Sequence, residues 1–411
     1  MAVPIVLTLI LFLIIIIIGD SMKKTIKDYD YQGKKVLIRC DLNVPIKNNI
    51  ITDDTRILES LKSIKYLLDK NAKVIILSHL GKIKEAEDLE KNSLYPVYLR
   101  LKELLPTNVY FSKEPRGEEL EHLINNLKEK EVLLVENTRY LDYPDKLESS
   151  CDQELSKYWA SLGDIFINDA YGTMHRAHAS NVGIAKYLPS AIGFLVEKEI
   201  TAIDNFMTDT SKPFVLIMGG KKISDKTLVI DNLITKCDKI LLGGGMCFTF
   251  LKAMGLNIGS SIVDDTNLEY CKKLLKKYPD KLSLPIDILT KENEIKNIDK
   301  MNDTDIGYDI GPNTIKEYQN ILKEAKRVLV NGPMGVFEEE PFSKGTKSLY
   351  QTLSDNNIKT LVGGGDSAAS VNLLGFTDSF YHISTGGGAT LEYLSGRPLP
   401  GLTSITEKED K

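Results

Sequence analysis

Nine short apolar runs restrict what this chain can fold into more than any other feature. They read KVLIRC, KVIILS, EVLLVE and DIFIND in the first half, and FVLIMG, KILLGG, KRVLVN, IKTLVG and SFYHIS in the second. All are short and rich in Val, Ile and Leu, and most run into Gly, Asn or Asp. Strands of a parallel sheet covered on both faces have this pattern. Amphipathic stretches separate them. In TRILESLKSIKYLLDKN, residues Ile57, Leu61, Ile64 and Leu68 recur at the three- and four-residue spacing of one buried helix face. The expected fold is α/β: two doubly wound parallel-sheet, Rossmann-like domains joined by a hinge helix.

The loops after the runs divide the chain. Over residues 22–190 they carry Arg and His, and over 208–395 they are rich in Gly. Two domains with different ligands follow from that asymmetry. The segment LPSAIGFLVEKEITAIDNFM, residues 188–207, lacks the Gly/Ser composition of a flexible linker. Its Ile192, Leu195, Ile200 and Ile203 predict a rigid connecting helix. The tail, residues 396–411, carries two prolines and ends polar, which predicts a surface position.

Residues 1–21 stand outside the alternation. Ala2 to Gly19 as a helix would rise roughly 27 Å, against a hydrocarbon core of about 30 Å. Its start is uncharged and its exit reads Ile-Gly-Asp-Ser, so it does not resemble a secretory signal. As an anchor it would leave the rest of the chain on the cytoplasmic side, held by Lys23 and Lys24. The chain as a whole is 42% hydrophobic and 27% charged, which is ordinary globular material. The expectation is therefore a functional start at Met22, with residues 1–21 surplus to the fold and membrane contact only if they are genuine.

A formal charge of −5 gives no basic footprint for nucleic acid. Five scattered cysteines, none in a C-x-x-C pair, argue against a disulfide framework or a zinc site and fit a reducing compartment. Anionic ligands must then be held by local clusters. In the first half, Arg56, Lys82, Arg139 and Arg176 follow predicted strands or begin helices, where open α/β sheets bind ligands. Arginine's planar fork pairs with carboxylate and phosphate oxygens. Each alone reads as a surface ion pair, but together they read as the lining of a site for one small, highly charged anion. His79, His175 and His178 are either ligands of that anion or satisfied core histidines.

In the second half, GGKKISDK follows the strand FVLIMG. Gly219 and Gly220 allow close backbone approach, and the next helix would turn its N-terminus to phosphate. Lys222 and Lys226, four apart, would share a face of that helix. This is not a Walker A loop, and LLGGGMCF, VGGGDS and STGGGA do not satisfy G-x-G-x-x-G, so a dinucleotide oxidoreductase is disfavoured. Asp366 is placed to hold magnesium on nucleotide phosphates. Glu338 reads either as a ribose ligand or as a solvated loop carboxylate.

The blocks RCDLNVP, SHLGK, ENTRY, INDAYGTMHRAH, GFLVEKE, GGKKISDK, GGGMCFTF, NGPMGVFE, GGGDS and STGGGA resemble, in order and spacing, those of phosphoglycerate kinases, from about Lys34 to the C-terminus. The resemblance implies a cytoplasmic, monomeric, glycolytic enzyme that moves the acyl phosphate of 1,3-bisphosphoglycerate to ADP with Mg2+. It implies an acid-substrate site of Asp41, Leu42, Asn43, Arg56, His79, Leu80, Gly81, Lys82, Arg139 and Arg176. It implies a nucleotide site of Gly220, Lys222, Lys226, Gly244, Gly307, Asn331, Glu338, Gly364, Gly365, Asp366 and Ser367, with Asp366 as metal contact. Arg56, Lys222 and Lys226 would be catalytic. Four positions depart from the usual pattern: Leu42 for Phe, Lys82 for Arg, Ser367 for Thr and Lys221 for a small Ala. Lys221 also motivates a rival expectation, a membrane-tethered nucleotide-binding scaffold without catalysis.

Overall fold

The computed structural model describes residues 23–408, so the apolar run within 1–21 lies outside the described residues. The chain divides into two units, one running to Asp204 and resuming at Pro398, the other Asn205–Arg397. Among the described residues no helix is long and apolar enough to cross a membrane.

The first unit contains β1 (Lys35–Cys40), β2 (Ile46–Lys47), β3 (Ile50–Ile51), β4 (Lys73–Leu77), β5 (Val109–Ser112), β6 (Val132–Val135), β7 (Ile165–Asp169) and β8 (Ser190–Ile192). Six of these form a sheet in the order β5-β6-β4-β1-β7-β8, parallel throughout. The strands β4, β6 and β7 are buried almost throughout, as continuous apolar runs require. The helix Thr55–Asp69 turns Ile57, Leu61, Ile64 and Leu68 inward as its spacing predicts.

Two local expectations are corrected here. The connecting helix does not begin at 188: residues 190–192 form β8, which pairs with β7, and the helix runs Phe194–Met207. Strand pairing satisfies the backbone of Ser190–Ile192, and Gly193 separates the two elements. The tail is not confined to the surface either. Leu399, Leu402 and Ile405 are buried, Gly401 N donates to Met174 O at 2.8 Å, and Lys24 N donates to Thr406 O at 2.9 Å. Three apolar side chains at three-residue spacing need cover, and the first unit supplies it.

The second unit contains β9 (Phe214–Met218), β10 (Lys239–Leu242), β11 (Leu282–Ser283), β12 (Asp287–Thr290), β13 (Ile295–Asn297), β14 (Gly307–Ile310), β15 (Arg327–Asn331), β16 (Lys359–Val362) and β17 (His382–Ile383). Its main sheet has the order β11-β10-β9-β15-β16-β17. The chain builds outward from β9 to one edge, then returns to β15 and builds to the other. Such a reversal opens a crevice at the carboxyl ends of the two central strands. A small antiparallel sheet, β13-β12-β14, stands apart from it.

Candidate active site

In the first unit the predicted site residues sit at the carboxyl ends of four adjacent strands. Asp41 and Asn43 follow β1, His79 to Lys82 follow β4, Arg139 follows β6 and Arg176 follows β7. Arg56 reaches in from the first turn of Thr55–Asp69, its Nη1 2.7 Å from Asp41 Oδ2. The loop after β4 is fixed from both sides. Gly81 N donates to Asn43 Oδ1 at 2.9 Å, and Gly81 O accepts from Arg139 Nη1. Gly81 has φ +60, and a Cβ there would lie 2.1 Å from Asn92 Oδ1, so the turn requires glycine. Leu42 is placed differently from the polar residues around it: its side chain is buried in the core, and its N–H donates to Ser78 Oγ. Leu80 gives both backbone groups to Asn137. These two leucines shape the loop rather than offer it free polar groups.

The cations surround a cavity of about 650 Å³ whose lining includes Lys82, Lys84, Arg139, Lys146 and Arg176, with Asp142 as its acid. Burial pushes His79 well below the ordinary histidine range, and the fields of Arg39, Arg139, Arg56 and Arg176 add to it. One neutral imidazole thus lies within reach of four guanidinium charges. Burial likewise lowers His178 to about 3. Sequence reasoning passed over Arg39, Asn137, Glu148 and Ser180, all buried polar groups at the floor of this site. Arg39 had left one signal, a lone charge inside an apolar strand run, which cannot be buried without partners.

In the second unit the loops after β9 and β15 meet at the reversal. Gly219 N donates to Asn331 O at 3.0 Å and Gly220 N to Pro333 O at 2.9 Å. A Cβ on Gly219 would come within 2.0 Å of Pro333 O, so this approach excludes any side chain. Lys226 Nζ donates to Asn331 Oδ1, Asn331 Nδ2 donates to Gly363 O at 3.0 Å, and Ser367 Oγ accepts from Gly332 N at 2.6 Å. Gly244 and Gly307 line a narrow apolar slot with Phe248 and Met334. Lys222 and Glu338 are exposed, as are Gly365 and Asp366 in the first turn of Gly365–Leu373.

The shared helical face expected for Lys222 and Lys226 is not formed. The helix is Thr227–Leu233, and the lysines precede it. Gly220, at φ +93, starts an irregular turn that Lys226 N closes on Ile223 O at 2.8 Å. Lys226 is instead drawn inward, and burial lowers its ammonium to about 8 against the pull of Asp366 and Asp225. Among the described residues no group of three or more His, Cys, Asp or Glu could hold a metal by itself. Asp366 suits an ion that arrives with phosphates, because magnesium takes one or two carboxylates and completes its shell with phosphate oxygens and water.

Comparison with known proteins gives one answer. A sequence model described as phosphoglycerate kinase matches residues 26–397. The phosphoglycerate kinase of Fusobacterium nucleatum is 51% identical over 399 residues, covering 94% of this chain and 100% of its own. That of Listeria monocytogenes is 52% identical over 394 residues, with the same coverage. Among solved structures, phosphoglycerate kinase from Coxiella burnetii matches with TM-score 0.81 at 34% identity, over 93% of this chain and 98% of its own. The Pyrococcus horikoshii enzyme matches with TM-score 0.79 at 30% identity, over the same shares.

Proposed function

This chain belongs to the phosphoglycerate kinase family, and from that premise we propose how its residues divide the reaction. It is a glycolytic phosphotransferase that moves the acyl phosphate of 1,3-bisphosphoglycerate to ADP, reversibly, giving 3-phosphoglycerate and ATP. The acid substrate is assigned to the first unit, at Asp41, Asn43, Arg56, His79, Lys82, Arg139 and Arg176, with Leu42, Leu80 and Gly81 shaping the loops. The nucleotide is assigned to the second, at Gly220, Lys222, Lys226, Gly244, Gly307, Asn331, Glu338 and Gly364 to Ser367. One observation carries this reading: cations from three adjacent strand ends, Lys82, Arg139 and Arg176, converge on a single cavity.

Phosphoryl transfer passes through a loose transition state with charge on three equatorial oxygens, so positioning and electrostatic stabilisation do most of the catalysis. Arg56 meets that charge from the acid's side and Lys222 from the nucleotide's side, while Lys226, already seated on Asn331, holds the nucleotide phosphates. No general base is needed, since the attacking carboxylate is ionised. Asp366 would hold Mg2+, which would neutralise charge on the nucleotide phosphates. With the substrates on separate units, transfer requires closure about the helix Phe194–Met207 and exclusion of water. The cytoplasm as location is supported by five free thiols, and a monomer by the family resemblance.

The test is a coupled assay with ATP and 3-phosphoglycerate. Arg56→Ala is expected to lower turnover by orders of magnitude while nucleotide binding stays nearly intact. Undiminished turnover would remove Arg56 from the mechanism.

A further inference from the structure

Arg39 is 1% exposed, and each of its three side-chain nitrogens has a partner. Nε donates to Ser180 Oγ at 2.9 Å, Nη1 to Cys40 O, and Nη2 lies 3.1 Å from His79 Nδ1. A guanidinium has only donors, which fixes the direction of each contact. His79 Nδ1 must accept and so carries no proton. The single proton of the neutral ring then sits on Nε2. Ser180 Oγ likewise accepts from Arg39, so its own hydrogen turns to Glu148 Oε1, while Ser180 N donates to Glu148 Oε2 at 2.9 Å. Glu148 is fully buried and supplies the negative charge that makes a buried arginine tenable. His79 Nε2 makes no hydrogen bond among the described residues, and the residue is 5% exposed.

We propose that Arg39 is a positioning residue that holds His79 as the Nε2–H tautomer, presenting one fixed donor to an oxygen of the acid substrate among Arg56, Arg139 and Arg176. A fifth cation there would attract any anion, whereas a directional N–H selects by geometry. The inference rests on reading this cluster as the 3-phosphoglycerate site.

Imidazole 15N NMR of the full chain near neutral pH tests it, with His79 identified by the signal lost in His79→Gln. The expected result is an unprotonated Nδ1, a protonated Nε2, and a shift of the Nε2–H signal when 3-phosphoglycerate is added. Arg39→Gln should let the proton redistribute and raise KM for 3-phosphoglycerate about tenfold or more, with KM for ATP unchanged. Arg39→Lys should recover part of that loss, since an ammonium still donates to Nδ1. A proton on Nδ1 in the unmodified protein overturns the role of Arg39, and that measurement decides even if the Arg39 variants fail to fold. The expected tautomer with no response to 3-phosphoglycerate overturns the site assignment instead, and the positioning role falls with it.

Discussion

Lys226 shows how burial sets the working range of a single residue. Taken out of water and drawn toward Asn331, it holds its proton only to about pH 8, well below an ordinary lysine. The charged form binds nucleotide phosphate. Affinity for ADP should therefore weaken above pH 8, by up to about tenfold per pH unit until the complex itself titrates. Lys226→Met should bind weakly and without that dependence. Calorimetric titration of ADP across this range checks both, and a pH-dependent Lys226→Met would assign the effect elsewhere. Lys221, one of the departures from the family pattern, is exposed and nothing in the structure assigns it a role.

At the scale of an element, the helix Phe194–Met207 depends on one carboxylate. Asp169, the last residue of β7, accepts from Leu195 N at 2.8 Å and Val196 N at 3.3 Å through Oδ1. It satisfies the orphan donors of that helix's first turn. Burial pushes its carboxyl up to about 7, although those same N–H groups favour the ionised form. The folded state thus binds the proton more tightly than the unfolded chain does. This contribution to stability is full at acid pH and is lost as pH rises from about 4 through about 7. Asp169→Asn keeps an acceptor and cannot ionise. Its urea midpoint is expected to fall less than that of the unmodified protein as pH rises through this window, from about 4 to about 7. An identical pH profile in the two proteins would locate the titration elsewhere.

At the scale of the molecule, the first unit is completed by the end of the chain. Leu399, Leu402 and Ile405 enter its core after the whole second unit has intervened in sequence. Leu402→Ala should cost about 2–5 kcal/mol, and the loss should fall on the first unit. Trp159, the one tryptophan in the chain, is buried in that unit. Its fluorescence in a urea titration reports the loss directly. A transition that does not move would mean that the tail adds little to the first unit's stability.

Much of this was legible in the chain because strand burial and helix amphipathicity leave periodic traces. The runs from KVLIRC to IKTLVG became strands as read, and Ile57, Leu61, Ile64 and Leu68 face inward on one helix. Motif order also announced the family. Other features left no such trace. β8 was hidden inside a helical pattern because a three-residue strand is defined by its partner, β7, rather than by its own composition. Lys222 and Lys226 looked helical by spacing, yet a glycine at positive φ delayed the helix to Thr227. Arg39, Ser180 and Glu148 are far apart in sequence, and their chain of hydrogen bonds exists only once the strands and loops carrying them are packed. The sequence by itself determined the elements, their α/β alternation and the chemistry at the strand ends, since these follow from local pattern and residue type. Tertiary structure alone decided which buried charges meet and which way their protons point, because desolvation and hydrogen-bond direction depend on neighbours that sequence distance does not encode.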